Sequence, residues 1–193
     1  MTFRDEVTGL LQSLLRLNTV NPPGNETLAA ELLRDYLAKN GVEAELYARV
    51  PERANLVARI KGGDGPSLAF LCHTDTVLAD PAEWDRDPWS GDVVDGEVWG
   101  RGALDMKDQV AANAVAFASL AREGFEPAGD LIFIATADEE VGGVDGVGGF
   151  GLVWPAVRNA YVFRGGTSWQ ALRLPSTGPR GFIDPNQAPL KKA

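Results

Sequence analysis

The sequence predicts an α/β fold, a three-layer sandwich in which a mixed sheet carries helices on both faces. Three observations predict it. Short apolar runs of strand length alternate with longer stretches whose apolar residues recur at helical spacing. Those runs end in polar loops instead of continuing as buried helices. The 193 residues are 45% apolar, enough for one good core, and no unbroken apolar stretch approaches the ~20 residues needed to span a bilayer.

The elements follow in chain order. From Phe3 to Leu17, Phe3, Val7, Leu10, Leu11, Leu14 and Leu15 form one helical stripe. Asn21-Pro-Pro-Gly24 sets a turn, since proline disfavours helix in the residue before it. Asn25 is the expected N-cap of a second helix, with Leu28, Leu32, Leu33, Tyr36 and Leu37 on one face and Gly41 as its left-handed stop. Residues 42–48 and 55–60 alternate as strands, and the apolar run 67–72 forms a third, ending in the only histidine, His73. A long polar connection holds Trp84 and Trp89, which either pack the loop, the favoured role, or line a substrate site. Asp95-Gly96 predicts a short hairpin. An alanine-rich helix is expected over about 107–122, stopped by Gly124, and residues 130–136 form the clearest buried strand.

Composition narrows the function. A net charge of -9 argues against binding a nucleic-acid backbone. One cysteine excludes an internal disulfide framework, and the charged, amphipathic N-terminus lacks a signal-peptide core, so a cytoplasmic location with no membrane partner is expected. Gly100-Arg-Gly102 lacks the third glycine of a dinucleotide loop.

The candidate chemistry lies where strands end. His73 and Asp75 follow one strand, Asp138, Glu139 and Glu140 follow another, and Asp105 opens a helix between them. In α/β domains, ligands bind at the carboxyl ends of strands. Taken singly, His73 fits a hydrogen-bonded structural residue and the acids fit a solvated loop at a helix start. Together, one imidazole and several carboxylates suit zinc, or a similar divalent ion such as cobalt or manganese.

His73-Thr-Asp75-Thr-Val, Gly100-Arg-Gly-Ala-Leu-Asp105-Met-Lys and Thr136-Ala-Asp-Glu139-Glu140-Val-Gly-Gly resemble three successive motifs of a di-zinc metallopeptidase and amidohydrolase family. That family includes aminoacylase, acetylornithine deacetylase, succinyl-diaminopimelate desuccinylase and carboxypeptidase G. The spacings agree, at 32 residues from His73 to Asp105 and 35 from there to Glu140. Asn21-Pro-Pro-Gly24 and Asp87-Pro-Trp-Ser-Gly91 are further similarities. The resemblance covers residues 3–150 and implies a role for each residue. His73 binds one metal, Asp75 orients the imidazole, Asp105 bridges two metals ahead of a cis peptide, and Glu140 binds the second metal. Glu139 is the general base. The implied cofactor is a pair of zinc ions, and the implied reaction is hydrolysis of an amide in an N-acyl amino acid or short peptide.

The chain also departs from that pattern. An acid expected about 25 residues past Glu140 is replaced by Arg164 within Ala160-Tyr-Val-Phe-Arg164-Gly-Gly166, and no second histidine exists. His73 with Asp105, and Asp105 with Glu140, give two donors per ion, whereas catalytic zinc normally has three. Residues 1–150 hold 12 Lys and Arg against 26 Asp and Glu, while 151–193 hold six against one. Residues 1–150 are therefore expected to be the N-terminal part of a catalytic domain, and 151–193 an irregular, basic, Pro/Gly/Arg-rich tail, either left by truncation or a frame-shift or the disordered tail of a degenerate paralogue. The family's lid domain is expected to be absent. Impaired activity, self-association through an exposed core, or a non-catalytic metal- or protein-binding role would follow.

Overall fold

The computed structural model describes residues 2–146 and, as backbone strands, Ala160–Arg164 and Gln170–Arg173. It has an α/β architecture with a mixed six-stranded sheet. Helices α1 (Phe3–Leu15), α2 (Thr27–Lys39) and α3 (Lys107–Arg122) join strands β1 (Ala44–Tyr47), β2 (Asn55–Ile60), β3 (Ser67–His73) and β6 (Leu131–Thr136). Strands β4 (Val93–Val94) and β5 (Glu97–Val98) make the hairpin expected at Asp95-Gly96. Ala160–Arg164 and Gln170–Arg173 are β7 and β8.

The order across the sheet is β1-β2-β6-β3-β7-β8. Strand β3 runs parallel to both β6 and β7, while the β1–β2, β2–β6 and β7–β8 pairs are antiparallel. His73 stands opposite Thr136 at the shared carboxyl edge of β3 and β6. Parallel pairing is what brings the loops after these two strands together, although 62 residues of sequence lie between the strand ends.

Leu56, Ala58, Cys72, Phe133 and Ala135 on one sheet face form a core with Leu14 and Leu15 of α1, Ala30 and Leu33 of α2, and Val110 and Phe117 of α3. The alternate residues Val57, Ala69, Ile132 and Ile134 are buried too. Burial on both faces is why β6 reads as an unbroken apolar run. The three described helices all join the core on the Phe133 face, so helices on both faces, as expected from the sequence, are not seen among the described residues.

Three local expectations are corrected. Helix α1 ends at Leu15, before Leu17, and the carbonyls of Leu14 and Leu17 at this end accept hydrogen bonds from Lys107 Nζ at 2.9 and 3.1 Å. Asn25 gives α2 no side-chain cap: the helix starts after Glu26, whose carboxylate is buried against Arg53, and Ala29, Ala30, Leu33 and Leu37 form its buried face. Leu28 is exposed. An irregular course throughout 151–193 gives way to β7 and β8, because Ala160–Arg164 extends the sheet along β3. Proline breaks fall outside both strands. The rest of that segment lies outside the described residues.

Candidate metal centre

His73 is the last residue of β3 and is nearly buried. Its Nε2 lies 3.1 Å from Asp105 Oδ1 and 4.0 Å from Glu139 Oε2. Its Nδ1 faces Asp75, 3.2 Å from the carbonyl oxygen and 3.4 Å from Oδ1. One ligand atom from each of His73, Asp105 and Glu140 can be chosen so that all three lie within 4.8 Å of one another. The five residues singled out in the sequence are thus gathered in one place: three potential donors, Glu139 beside them, and Asp75 behind the imidazole.

The loops hold this arrangement through Asp75. Fully buried, its carboxylate accepts the backbone N–H of Glu139 at 3.1 Å and of Glu140 at 3.0 Å, and the Asn21 side-chain amide at 2.9 Å. Burial pushes its pKa up, but the hydrogen bonds from His73, Asn21 and Glu140 outweigh it and hold the carboxyl below the ordinary range. Burial lowers the His73 pKa, yet Asp75, Glu139 and Asp105 together drive it up to about 9. Glu140 is raised, first by burial and then by the acids around it, against the pull of His73. A site that crowds acids around one imidazole favours a cation among them.

Asp105 projects from the loop before α3, with its side chain 80% exposed, and the peptide to Met106 is cis. Gly102, at φ 83°, lets this loop lie on Thr76: a Cβ there would sit 2.6 Å from the Thr76 methyl. Lys107 then enters α3 fully buried, its pKa pushed down to about 8 by loss of water.

Sequence patterns missed the groups that hold the Glu139-Glu140 loop from below. Asp138, first of the three acids after β6, does not join the donors. Its backbone is left-handed at φ 65°, and its carboxylate meets Asn21 Nδ2 at 3.1 Å and the Arg53 guanidinium at 2.8 Å. Arg53 also pairs with buried Glu26 at 2.7 Å, and Gly24 makes room, since a Cβ would lie 2.5 Å from Arg53 Nε. Asn21 was visible as part of a turn and of a similarity to the family, with no role assigned to it, and Arg53 carried no pattern at all.

The donor set is one imidazole nitrogen with carboxylate oxygens, a chemistry that fits a divalent cation such as zinc. The two-by-two allotment of ligands is not forced by the geometry, since one ion could draw on all three residues. An α/β domain with such donors at the carboxyl edge of parallel strands has the form of a metallohydrolase catalytic domain. The chain belongs to peptidase family M20/M25/M40, whose model matches residues 69–169. That match runs past the boundary at 150 suggested by composition.

The chain is 39% identical over 147 residues to a succinyl-diaminopimelate desuccinylase of Methylobacterium radiotolerans, covering 74% of this chain and 37% of that protein. A desuccinylase of Methylobacterium nodulans is 43% identical over 143 residues, with 71% and 35% covered. The chain therefore spans little more than a third of these relatives' length. An M20 family metallo-carboxypeptidase from Sulfolobus solfataricus shares the fold with a TM-score of 0.74 at 23% identity, over 85% of this chain and 38% of that one. A dinuclear metal-binding M20 peptidase of Bacillus subtilis matches with a TM-score of 0.59 at 19% identity, over 84% and 42%.

Proposed function

We propose that this chain carries the metal-binding part of a hydrolase that cleaves the amide of an N-acyl amino acid or a small peptide, with zinc as its metal. The observation that carries the reading is the convergence of His73, Asp105 and Glu140 beside Glu139. Family membership and the desuccinylase relatives support the reaction class. In this reading residues 1–150 form the N-terminal part of a catalytic domain.

His73, Asp105 and Glu140 would hold the ion. When bound there, a divalent ion acts as a Lewis acid that polarises the amide carbonyl and makes water more acidic. Glu139 accepts the proton of the attacking water on its carboxylate and then delivers it to the departing amine nitrogen. Asp75 fixes the orientation of the His73 ring from Nδ1, leaving Nε2 for the cation. Asn21 and Arg53 keep the Glu139-Glu140 loop in register with β3.

Calorimetric titration of the chain with zinc, followed by hydrolysis assays on N-acyl amino acids and dipeptides, tests the reading. Zinc binding that His73→Ala abolishes is the expected result, and an unchanged isotherm for that variant would overturn the metal assignment. Glu139→Gln should leave zinc affinity within a few-fold and reduce turnover by about 10²- to 10⁴-fold. A non-catalytic role is the second reading because Arg164 stands where the family pattern has an acid. Zinc binding without turnover would favour it.

A further inference from the structure

A cavity of about 390 Å³ opens beside the donors, between the β4–β5 hairpin and the loop that carries Asp105. That volume lies in the range of small-molecule sites. Val77, Trp84, Val98 and Trp99 supply apolar wall, and Asp105 and Glu140 line the same space. A group lodged there therefore lies directly against the candidate metal donors. The long connection after β3 was expected to use Trp84 for packing, but here Trp84 faces an opening.

The two indoles are held in place by cations. The Arg101 guanidinium lies 5.1 Å from the Trp84 ring centroid, and that of Arg86 lies 5.8 Å from the Trp99 centroid. Charge then restricts the occupant. Once Asp105 and Glu140 are committed to a cation, the charged side chains left in the lining are Arg101 and Glu97, one of each sign. Arg101 stacks on Trp84 while its Nε is buried without a hydrogen-bond partner among the described residues, so its charge is set against that of Glu97. The wall thus offers aromatic and aliphatic surface with no net charge to draw in a carboxylate, and placing an unpaired carboxylate there would cost its hydration.

We propose that this cavity is the subsite for an uncharged, apolar group attached next to the scissile amide, and that Trp84 and Trp99 set the preference. The proposal rests on the amide-hydrolase reading of the adjoining centre. The apolar group can belong to the acyl side or to the amine side of the amide, and the two are separable by experiment.

The test is calorimetric titration of the 193-residue chain with four probes: N-hexanoylglycine, N-acetylphenylalanine, N-succinylglycine and N-acetylglycine. At least one of the first two should bind about tenfold or more tightly than N-acetylglycine, since each added methylene in an apolar pocket discriminates by about tenfold or more. N-succinylglycine should gain nothing. Preference for the hexanoyl probe assigns the acyl side, and preference for the phenylalanine probe the amine side. Trp84→Ala should erase the discrimination and Trp84→Leu should keep part of it, with zinc affinity in both variants within threefold of the parent chain.

Tightest binding of N-succinylglycine, equal or absent binding of all four, or a preference that survives both Trp84→Ala and Trp99→Ala would overturn the proposal. Failure of the metal reading is distinguishable. A chain that takes no zinc yet shows a Trp84-dependent apolar preference retains the subsite and loses only the assigned chemistry beside it.

Discussion

Asp75 divides its two carboxylate oxygens among donors from three segments: His73 on its own strand end, Asn21 before α2, and the Glu139-Glu140 backbone after β6. One side chain thus sets both the imidazole and the loop. Asp75→Asn removes the charge that orients His73 while preserving size, and we expect zinc affinity to fall about 10- to 100-fold, measured by titration against a chelator. An affinity within twofold of the parent would show that the backbone alone positions the ring. The sequence pointed to these five residues through their joint placement at strand ends and through the three motifs that resemble the family, and the fold brings them together. Neither Asn21 nor Arg53 was assigned a role there. They reach Asp75 and Asp138 across the fold, and an isolated amide or guanidinium leaves no periodic trace.

Arg53 also governs how the elements are pinned together. With its side chain 10% exposed, it links Glu26 at the start of α2 to Asp138 at the end of β6. Arg53→Met keeps much of the volume but leaves two buried carboxylates uncompensated, and a loss of about 3–5 kcal/mol is expected in urea denaturation. On the far side, Glu6 of α1 is bound by Arg122 of α3 at 2.8 Å and by the Tyr36 hydroxyl of α2 at 2.6 Å. Arg122 first, and Tyr36 second, hold the Glu6 carboxyl below its ordinary value of 4.5. A depressed carboxyl stabilises the fold fully above its unfolded pKa and loses that contribution as pH falls through the folded value. Glu6→Gln should therefore lower the melting temperature at pH 7, and the gap should close as acid titrates Glu6 below 4.5. A gap independent of pH would mean that packing, and not charge, joins these helices. Strands β2, β3 and β6 were legible to within a residue or two from their apolar runs. The start of α2 was not, because Glu26 turns away from its own helix to meet Arg53.

At the scale of the molecule, the class of fold was readable and its pairing was not. Periodicity reveals that Ala69 and Ile132 are buried, but their parallel registry depends on contacts between distant segments. Likewise, the composition of 151–193 gave no hint that Ala160–Arg164 would align beside β3. The motif residue that ties sequence to architecture most directly is Lys107. It begins α3, is fully buried, and fastens the end of α1 through two carbonyls. This makes the residue a chemical clock for the intact fold. With a pKa of about 8, its amine is substantially uncharged in mildly alkaline buffer and would be a ready nucleophile for an acylating reagent, were it reachable. Exposed Lys39 and Lys61 should be modified at once by acetic anhydride at that pH, whereas Lys107 should acquire its acetyl group only at the rate of global unfolding, as followed by peptide mass spectrometry. Labelling of all three at one rate would show that α1 and α3 part far more readily than their packing implies. Because its lowered basicity would favour reaction and only enclosure forbids it, the label counts openings of the molecule itself.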